Sequence, residues 1–319
     1  MCICIIMEIL YLKNNQIDRN KWDETITTSP QGRVYGYSWY LDCMSPGWDA
    51  LVTDDYSAVF PLPWTETIPG IKRVFQPRVC QQLGLFLKEG EVSEGQLHGF
   101  MKKIPAHFRS VDLQLNECNP EPTLTGWKVF QKTNMSLRLS DDYKTIESRF
   151  SDNHKRNIKK SKGADIMALD QITPEEFTEH FLDTFKGKIR DYSQMQKNGL
   201  IALMKIAIHK EAGFFRVLGS RSGNILSAAF LLKSHNRIYY VLPFSTKQGR
   251  ETGAMYKLID VIIWENSGKP VIFDFEGSSI ESIARFNLGF GAETQHYYQI
   301  SKENLPWWVK LLIRVKRWF

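Results

Sequence analysis

Cysteine is scarce and unpatterned. The five residues, Cys2, Cys4, Cys43, Cys80 and Cys118, are odd in number, include no C-x-x-C, and stop at position 118 of 319. That excludes a disulfide-stapled fold and points to a reduced, cytoplasmic chain. The seven histidines are scattered, with no H-x-x-x-H and no Cys/His grouping, so no metal site is expected. No apolar run reaches the roughly 18 residues that cross a bilayer. The opening Met1 to Met7 is apolar but lacks a basic start and ends at Glu8. It is too short for a span and a poor signal peptide, and Met7 fits as a start as well as Met1 does. Glycine and proline are at ordinary levels, which excludes a collagen-like or disordered chain. An excess of one charge is also missing: 41 basic against 35 acidic side chains leave +6. Placement of the basic residues therefore carries more information than their sum. The length suits two domains with a substantial core.

What is present reads as alternating strands and helices. Trp48 to Thr53 and Ser57 to Leu62 flank Asp54-Asp55-Tyr56, a hairpin signal. A helix is expected over 93–108, a strand over 110–115 and another over 135–139. Asp141 and Asp142 precede a polar helix to about Lys162, stopped by Gly163, with a strand over 164–169. Thr173-Pro-Glu-Glu is a helix start, and a second helix is expected over 193–211. Three strands follow (214–220, 225–233, 237–242), then a loop, a helix over 253–265, a strand over 270–275, a helix opened by Ser278 with Glu281 spaced as a capping box, and a last strand over 295–300. This order predicts a mixed sheet with helices on its faces. A weak repeat pairs Ser57-Ala-Val-Phe-Pro-Leu with Ser227-Ala-Ala-Phe-Leu-Leu, and Val111-Asp-Leu-Gln-Leu with Val271-Ile-Phe-Asp-Phe. Two related halves are the expectation.

Phe273-Asp-Phe-Glu-Gly277 places Asp274 and Glu276 on one strand face. Two carboxylates near the end of a central strand are unusual, and crowding or burial would raise the pKa of one of them. Such a group suits a general base that deprotonates an amine. The alternative is a cap or a pair with Arg285 for one and solvation for the other. Phe244 to Ala254 joins a strand to a helix, where backbone N–H groups attract phosphate and Lys247 and Arg250 add positive charge. An ordinary polar loop would look the same.

On these residues the second half resembles the GNAT acyltransferase fold, in which a strand–loop–helix junction holds a donor pyrophosphate and two splayed strands form the acyl slot. Arg250-Glu-Thr-Gly253 matches the first part of its loop pattern, and Met255 stands where Gly or Ala is expected. The finer resemblance is to FemAB-like, two-domain GNAT proteins. It rests on His154-Lys-Arg-Asn-Ile-Lys-Lys, Asp274-Phe-Glu-Gly277 and Phe286-Asn-Leu-Gly-Phe-Gly291, with Asn287 where relatives often have Lys. The fold class implied is α/β (α+β): a GNAT-like mixed twisted sheet with helices on both faces, in two tandem halves. The expected divisions are 1–140 (degenerate GNAT-like half), 141–163 (basic bridging helix), 164–301 (GNAT-like domain) and 302–319 (amphipathic basic helix).

The function implied is N-acyl- or aminoacyl transfer to an amine, without a covalent enzyme intermediate. Acyl-CoA or aminoacyl-tRNA would be the co-substrate, with no tightly bound cofactor. The resemblance places Asp274, Glu276 and Tyr240 at the reacting groups and Lys247, Arg250, Gly253 and Ala254 on the donor side. Lys155, Arg156 and Arg285 would meet an anionic acceptor, possible examples being a cell-envelope precursor or tRNA; the slot is expected between the strands of Ala228 and Tyr239. For Tyr240 the plain alternative is core filling. For the basic stripe Lys155, Arg156, Lys159, Lys160 and Lys162 it is a solvated face. The tail, Leu305 to Phe319, sets Trp307, Trp308 and Trp318 among apolar residues and Lys310 and Arg314 opposite. That describes a helix lying on an anionic membrane surface, or one docked on the chain's own core. The rival to the enzyme is a catalytically inactive, membrane-associated binding or scaffold protein of the same fold.

Overall fold

Residues 8–68, 70–169, 171–187, 191–277 and 280–306 are described by the computed structural model. They divide into two units. The first holds residues up to Lys132 and again from Tyr297, and the second runs from Thr133 to His296. The break falls at 132 and 296, so the first unit is discontinuous and the basic helix belongs to the second.

The first unit starts with β1 (Ile9–Leu12), α1 (Arg19–Thr28) and α2 (Ser38–Met44). Asp18 caps α1 by accepting the N–H groups of Asn20 and Lys21. Trp22 and Ile26, one turn apart, bury one face of that helix completely. The expected hairpin follows as β2 (Gly47–Thr53) and β3 (Ala58–Ile68), then β4 (Ile71–Val74), β5 (Phe86–Leu87), α3 (Glu94–Lys103) and β6 (Phe108–Gln114). β4 and β6 are parallel, with α3 in the crossover.

The second unit opens within β7 (Lys128–Arg138) and continues through α4 (Tyr143–Ser148) and α5 (Asp152–Lys162). The sequence predicts a single helix here. Ser151 breaks it, because its hydroxyl caps α5 by accepting the His154 N–H. β8 (Met167–Ala168), α6 (Pro174–Phe185), α7 (Gln194–His209), β9 (Gly213–Gly219), β10 (Ile225–Ser234) and β11 (Arg237–Ser245) come next. The loop after β11 is partly helical: α8 (Lys247–Thr252) meets α9 (Ala254–Asn266) at Gly253, which has φ +74°. β12 (Ile272–Asp274), α10 (Glu281–Leu288) and β13 (Glu293–Glu303) complete the chain. Ser278 lies outside the described residues.

Strand order in the first unit is β1-β2-β3-β4-β6-β13, with β5 beside β3, and in the second it is β7-β12-β11-β10-β9-β8. Each unit has a meander, a helical crossover and a parallel strand (β3, β4, α3, β6 and β10, β11, α9, β12), as the sequence repeat predicts. The strand after each crossover is exchanged: β13 pairs with β6, and β7 pairs with β12, both antiparallel. The second unit's core includes Leu137, Phe150, Ile158, Leu231, Ile259, Phe273 and Phe290. Among the described residues no helix is long and apolar enough to cross a membrane.

Candidate active site

The main feature of the second unit is a fork in its sheet. β11 and β12 run parallel and pair only as Arg237 with Ile272, Ile238 with Phe273 and Tyr239 with Asp274. β11 then continues to Ser245, whereas the other chain leaves it. The departing strand keeps its ladder with β7, where the Phe275 N–H bonds to the Met135 carbonyl at 2.9 Å. Glu276 and Gly277 both turn through positive φ, +59° and +55°. A Cβ on residue 277 would stand 2.3 Å from the Thr133 carbonyl oxygen, so only glycine lets the chain hug β7 and open the fork.

The sequence places the slot one strand away, and there the structure corrects it. β10 and β11 are antiparallel and paired from Ser227–Ser245 to Ser234–Arg237, with one bulge. The strand of Ala228 is closed against that of Tyr239, and the divergence lies on the other side of β11.

Asp274 and Glu276 flank the fork in different states. Asp274 is 1% exposed. Its carboxylate accepts from Arg237 at 2.5 Å, from the Asn134 amide at 3.2 Å and from the Glu276 N–H at 2.9 Å. The sequence pairs it with no cation except Arg285, and Arg285 instead meets Glu281 at 2.7 Å on exposed α10. Burial with Arg237 makes Asp274 an anchor that holds the following turn. Glu276 is half-buried and backbone-strained, a combination concentrated at functional sites.

Tyr240 is 5% exposed and packs on Phe273 and Phe275. Its hydroxyl donates to the Met255 sulfur at 2.7 Å, and burial pushes the phenol well above its usual range. Met255 thus engages the hydroxyl of the first β11 residue beyond the last pair with β12.

In the loop after β11, Thr246 caps α8 through the Gly249 N–H. Lys247 and Arg250 are exposed, and Arg250 donates to the Ser245 carbonyl at 2.5 Å. Ala254 is buried at the first turn of α9, and Gly253 lies against the Asn157 carbonyl of α5. That contact brings α5 to the loop. An open cleft of about 610 Å³ is lined by Arg156, Lys159 and Lys160 of α5, by Gly163 and Ala164, and by Glu251 and Thr252 of α8. Lys155 is exposed and donates to the Ser148 carbonyl. Thus Arg156 meets the end of α8, while Arg285 is engaged elsewhere.

Sequence reading misses His154. It is 3% exposed, and its ring bonds to Ser151 Oγ and to the Phe286 carbonyl, both at 2.8 Å. Phe286, Phe290 and Tyr256 surround it. A Cβ at position 289 would overlap the imidazole at 1.9 Å. The Phe-x-x-Gly-Phe-Gly run is thus the seat of His154, and it ties the basic helix to α10. Both segments carry the family resemblance, but their contact is long-range and spacing alone does not show it. Trp307, Trp308, Lys310, Arg314 and Trp318 lie outside the described residues.

No family model and no curated protein matches the chain. Solved structures do. FemX has a TM-score of 0.65 at 9% identity, covering 93% of this chain and 98% of its own. The chain has a FemAB-like fold of the GNAT type. A conserved protein of unknown function from Bacteroides thetaiotaomicron VPI-5482 gives 0.61 at 10% identity, over 93% and 100% of the two chains. The C-terminal domain of a putative lysylphosphatidylglycerol synthetase from Agrobacterium fabrum gives 0.53 at 10%, over 90% and 91%. At these identities the likeness is one of fold.

Proposed function

We propose that the chain is an acyl- or aminoacyltransferase that moves the group from a thioester or an aminoacyl-tRNA to an amine. The observation that carries this reading is the fork between β11 and β12, with the α8–α9 loop and the basic cleft in the same unit. The amine nitrogen attacks the donor carbonyl and forms the C–N bond. The C–S or C–O bond to the donor breaks, the amine loses a proton to a base, and the departing sulfur or oxygen gains one. Juxtaposition and an unprotonated amine are the main requirements.

Glu276 is the base in this reading. Asp274 is a positioning residue: held by Arg237 and Asn134, it accepts the Glu276 N–H and fixes the strained turn. The cations Arg156, Lys159 and Lys160, with Lys247 and Arg250, receive the donor's phosphates. The name of the lysylphosphatidylglycerol synthetase neighbour favours an aminoacyl group, and a cell-envelope acceptor fits the same comparison. Transfer from labelled acetyl-CoA and from labelled aminoacyl-tRNA to a panel of amines tests the proposal. One donor class should react, and Glu276→Gln should lower kcat about a hundredfold with unchanged unfolding. Full activity of that variant would remove Glu276 from the chemistry.

The tail would hold the enzyme at an anionic membrane surface. Truncation after Pro306 should weaken binding to phosphatidylglycerol vesicles, and the full chain should bind less as salt rises. Equal binding by both forms would reject this.

A second reading, a binding module without catalysis, is favoured by the Tyr240 hydroxyl, which is already engaged by the Met255 sulfur. In that case the cleft binds a polyanion, and no donor is consumed.

A further inference from the structure

The first unit carries a polar pocket that the transferase reading does not use. On the inner face of its sheet Phe60, Leu62, Val74 and Val111 are buried and apolar. Toward one end the same face changes character. Asp49 stands opposite Leu62, Trp64 opposite Gly47 and Val74, and Glu66 opposite Lys72. Together with Tyr11, Lys13 and His107 they line a cavity of about 610 Å³. Polar groups at core-facing strand positions cost stability unless they are matched.

The hydrogen bonds decide which charges the cavity presents. Asp49 is 4% exposed; it accepts from the Tyr11 hydroxyl at 2.6 Å and from the Asn14 N–H at 3.0 Å. Both of its oxygens are thus already hydrogen-bonded. The Glu66 carboxylate accepts the Gly70 N–H across the hairpin. Tyr11 gives its proton to Asp49, so its oxygen is the acceptor in the 3.4 Å contact with His107 Nε2. That places the proton of a neutral His107 on Nε2 and leaves Nδ1 as an acceptor. Lys13 and Lys72 form no ion pair among the described residues, and Lys72 Nζ sits 3.9 Å from the Trp64 ring centre. The Trp64 indole N–H is buried without a hydrogen-bond partner among the described residues. The cavity is thus lined by two ammonium groups without an ion-pair partner among the described residues, by the hydrogen-bonded carboxylates of Asp49 and Glu66, and by the His107 imidazole.

We propose that this pocket binds a small phosphorylated polyol, with the phosphate on Lys13 and Lys72 and a hydroxyl donating to His107 Nδ1. Two ammonium groups at one cavity attract an anion, the imidazole acceptor suits a hydroxyl donor on the same molecule, and the cavity has room for both.

The probes are glycerol 3-phosphate, inorganic phosphate and glycerol, titrated into the full chain by calorimetry and by NMR of the His107 ring. Glycerol 3-phosphate should bind more tightly than inorganic phosphate, glycerol should not bind, and the His107 ring signals should shift on binding. Lys13→Gln and Lys72→Gln should each weaken the phosphate ester about tenfold, near 1.4 kcal/mol. Lys13 is exposed, so its variant tests the site even if Lys72→Gln disturbs the sheet. Failure of glycerol 3-phosphate to bind, equal binding of inorganic phosphate, or undiminished binding by Lys13→Gln would overturn the proposal.

Discussion

At the residue scale, His154 and Asp260 make the second unit respond to pH in opposite directions. Burial holds the His154 imidazole below its usual value, so the folded chain favours the neutral ring. Its contribution is complete above the unfolded value of about 6.5 and is lost as pH falls toward the lower folded value. Asp260 on α9 is buried, which raises its carboxyl, while the Tyr143 hydroxyl donates to it at 2.5 Å and opposes the rise. That contribution is present at low pH and fades as pH rises through the folded value. Replacing His154 by Gln should therefore cost more stability at about pH 7.5 than at about pH 5, by urea unfolding. An equal cost at both would show that the ring is not held neutral. The carboxylates at the fork teach a related lesson. Alternation marks Asp274 and Glu276 as a pair, yet sequence spacing cannot reveal that Arg237, 37 positions away, neutralises the first.

At the element scale, order and type were legible from periodicity, caps and turn residues, while ends and breaks were not. The hairpin, the capped α6 and the β9–β10–β11 meander all appear where the pattern puts them. β8 shrinks to two residues, and the helix expected before it splits at Ser151. The N-terminal β1, α1 and α2 lack a strong period and went unread. The fork is legible as a family expectation, but the strand pair is not, because divergence depends on where the β11–β12 pairing stops and on the turn at Glu276 and Gly277. The loop between β4 and β5 carries a second strained feature. Val79 sits at φ +55°, and its carbonyl accepts from the buried Tyr40 hydroxyl. A β-branched residue there costs on the order of 1–3 kcal/mol. Val79→Gly should raise the unfolding free energy by about 1 kcal/mol after the added unfolded-state entropy, read as a higher urea midpoint. A lowered midpoint would mean that the side chain's packing outweighs the strain.

At the scale of the whole molecule, the sequence repeat becomes a repeat of topology: a meander, a crossover and a parallel strand in each unit, with the following strands exchanged. Among the described residues only the second unit carries a basic helix against the loop that follows its meander, which is why the donor site is proposed there. The central claim is that this cleft receives a polyphosphate- or tRNA-bearing donor. The most direct test is equilibrium binding of labelled acyl-CoA and of aminoacyl-tRNA, comparing the native chain with Arg156→Glu/Lys159→Glu/Lys160→Glu, whose mutated side chains are exposed and lie outside the core. One donor should bind, with affinity falling as salt rises, and the triple variant should lose at least about tenfold. Binding of neither donor, or equal binding by both proteins, would contradict the account.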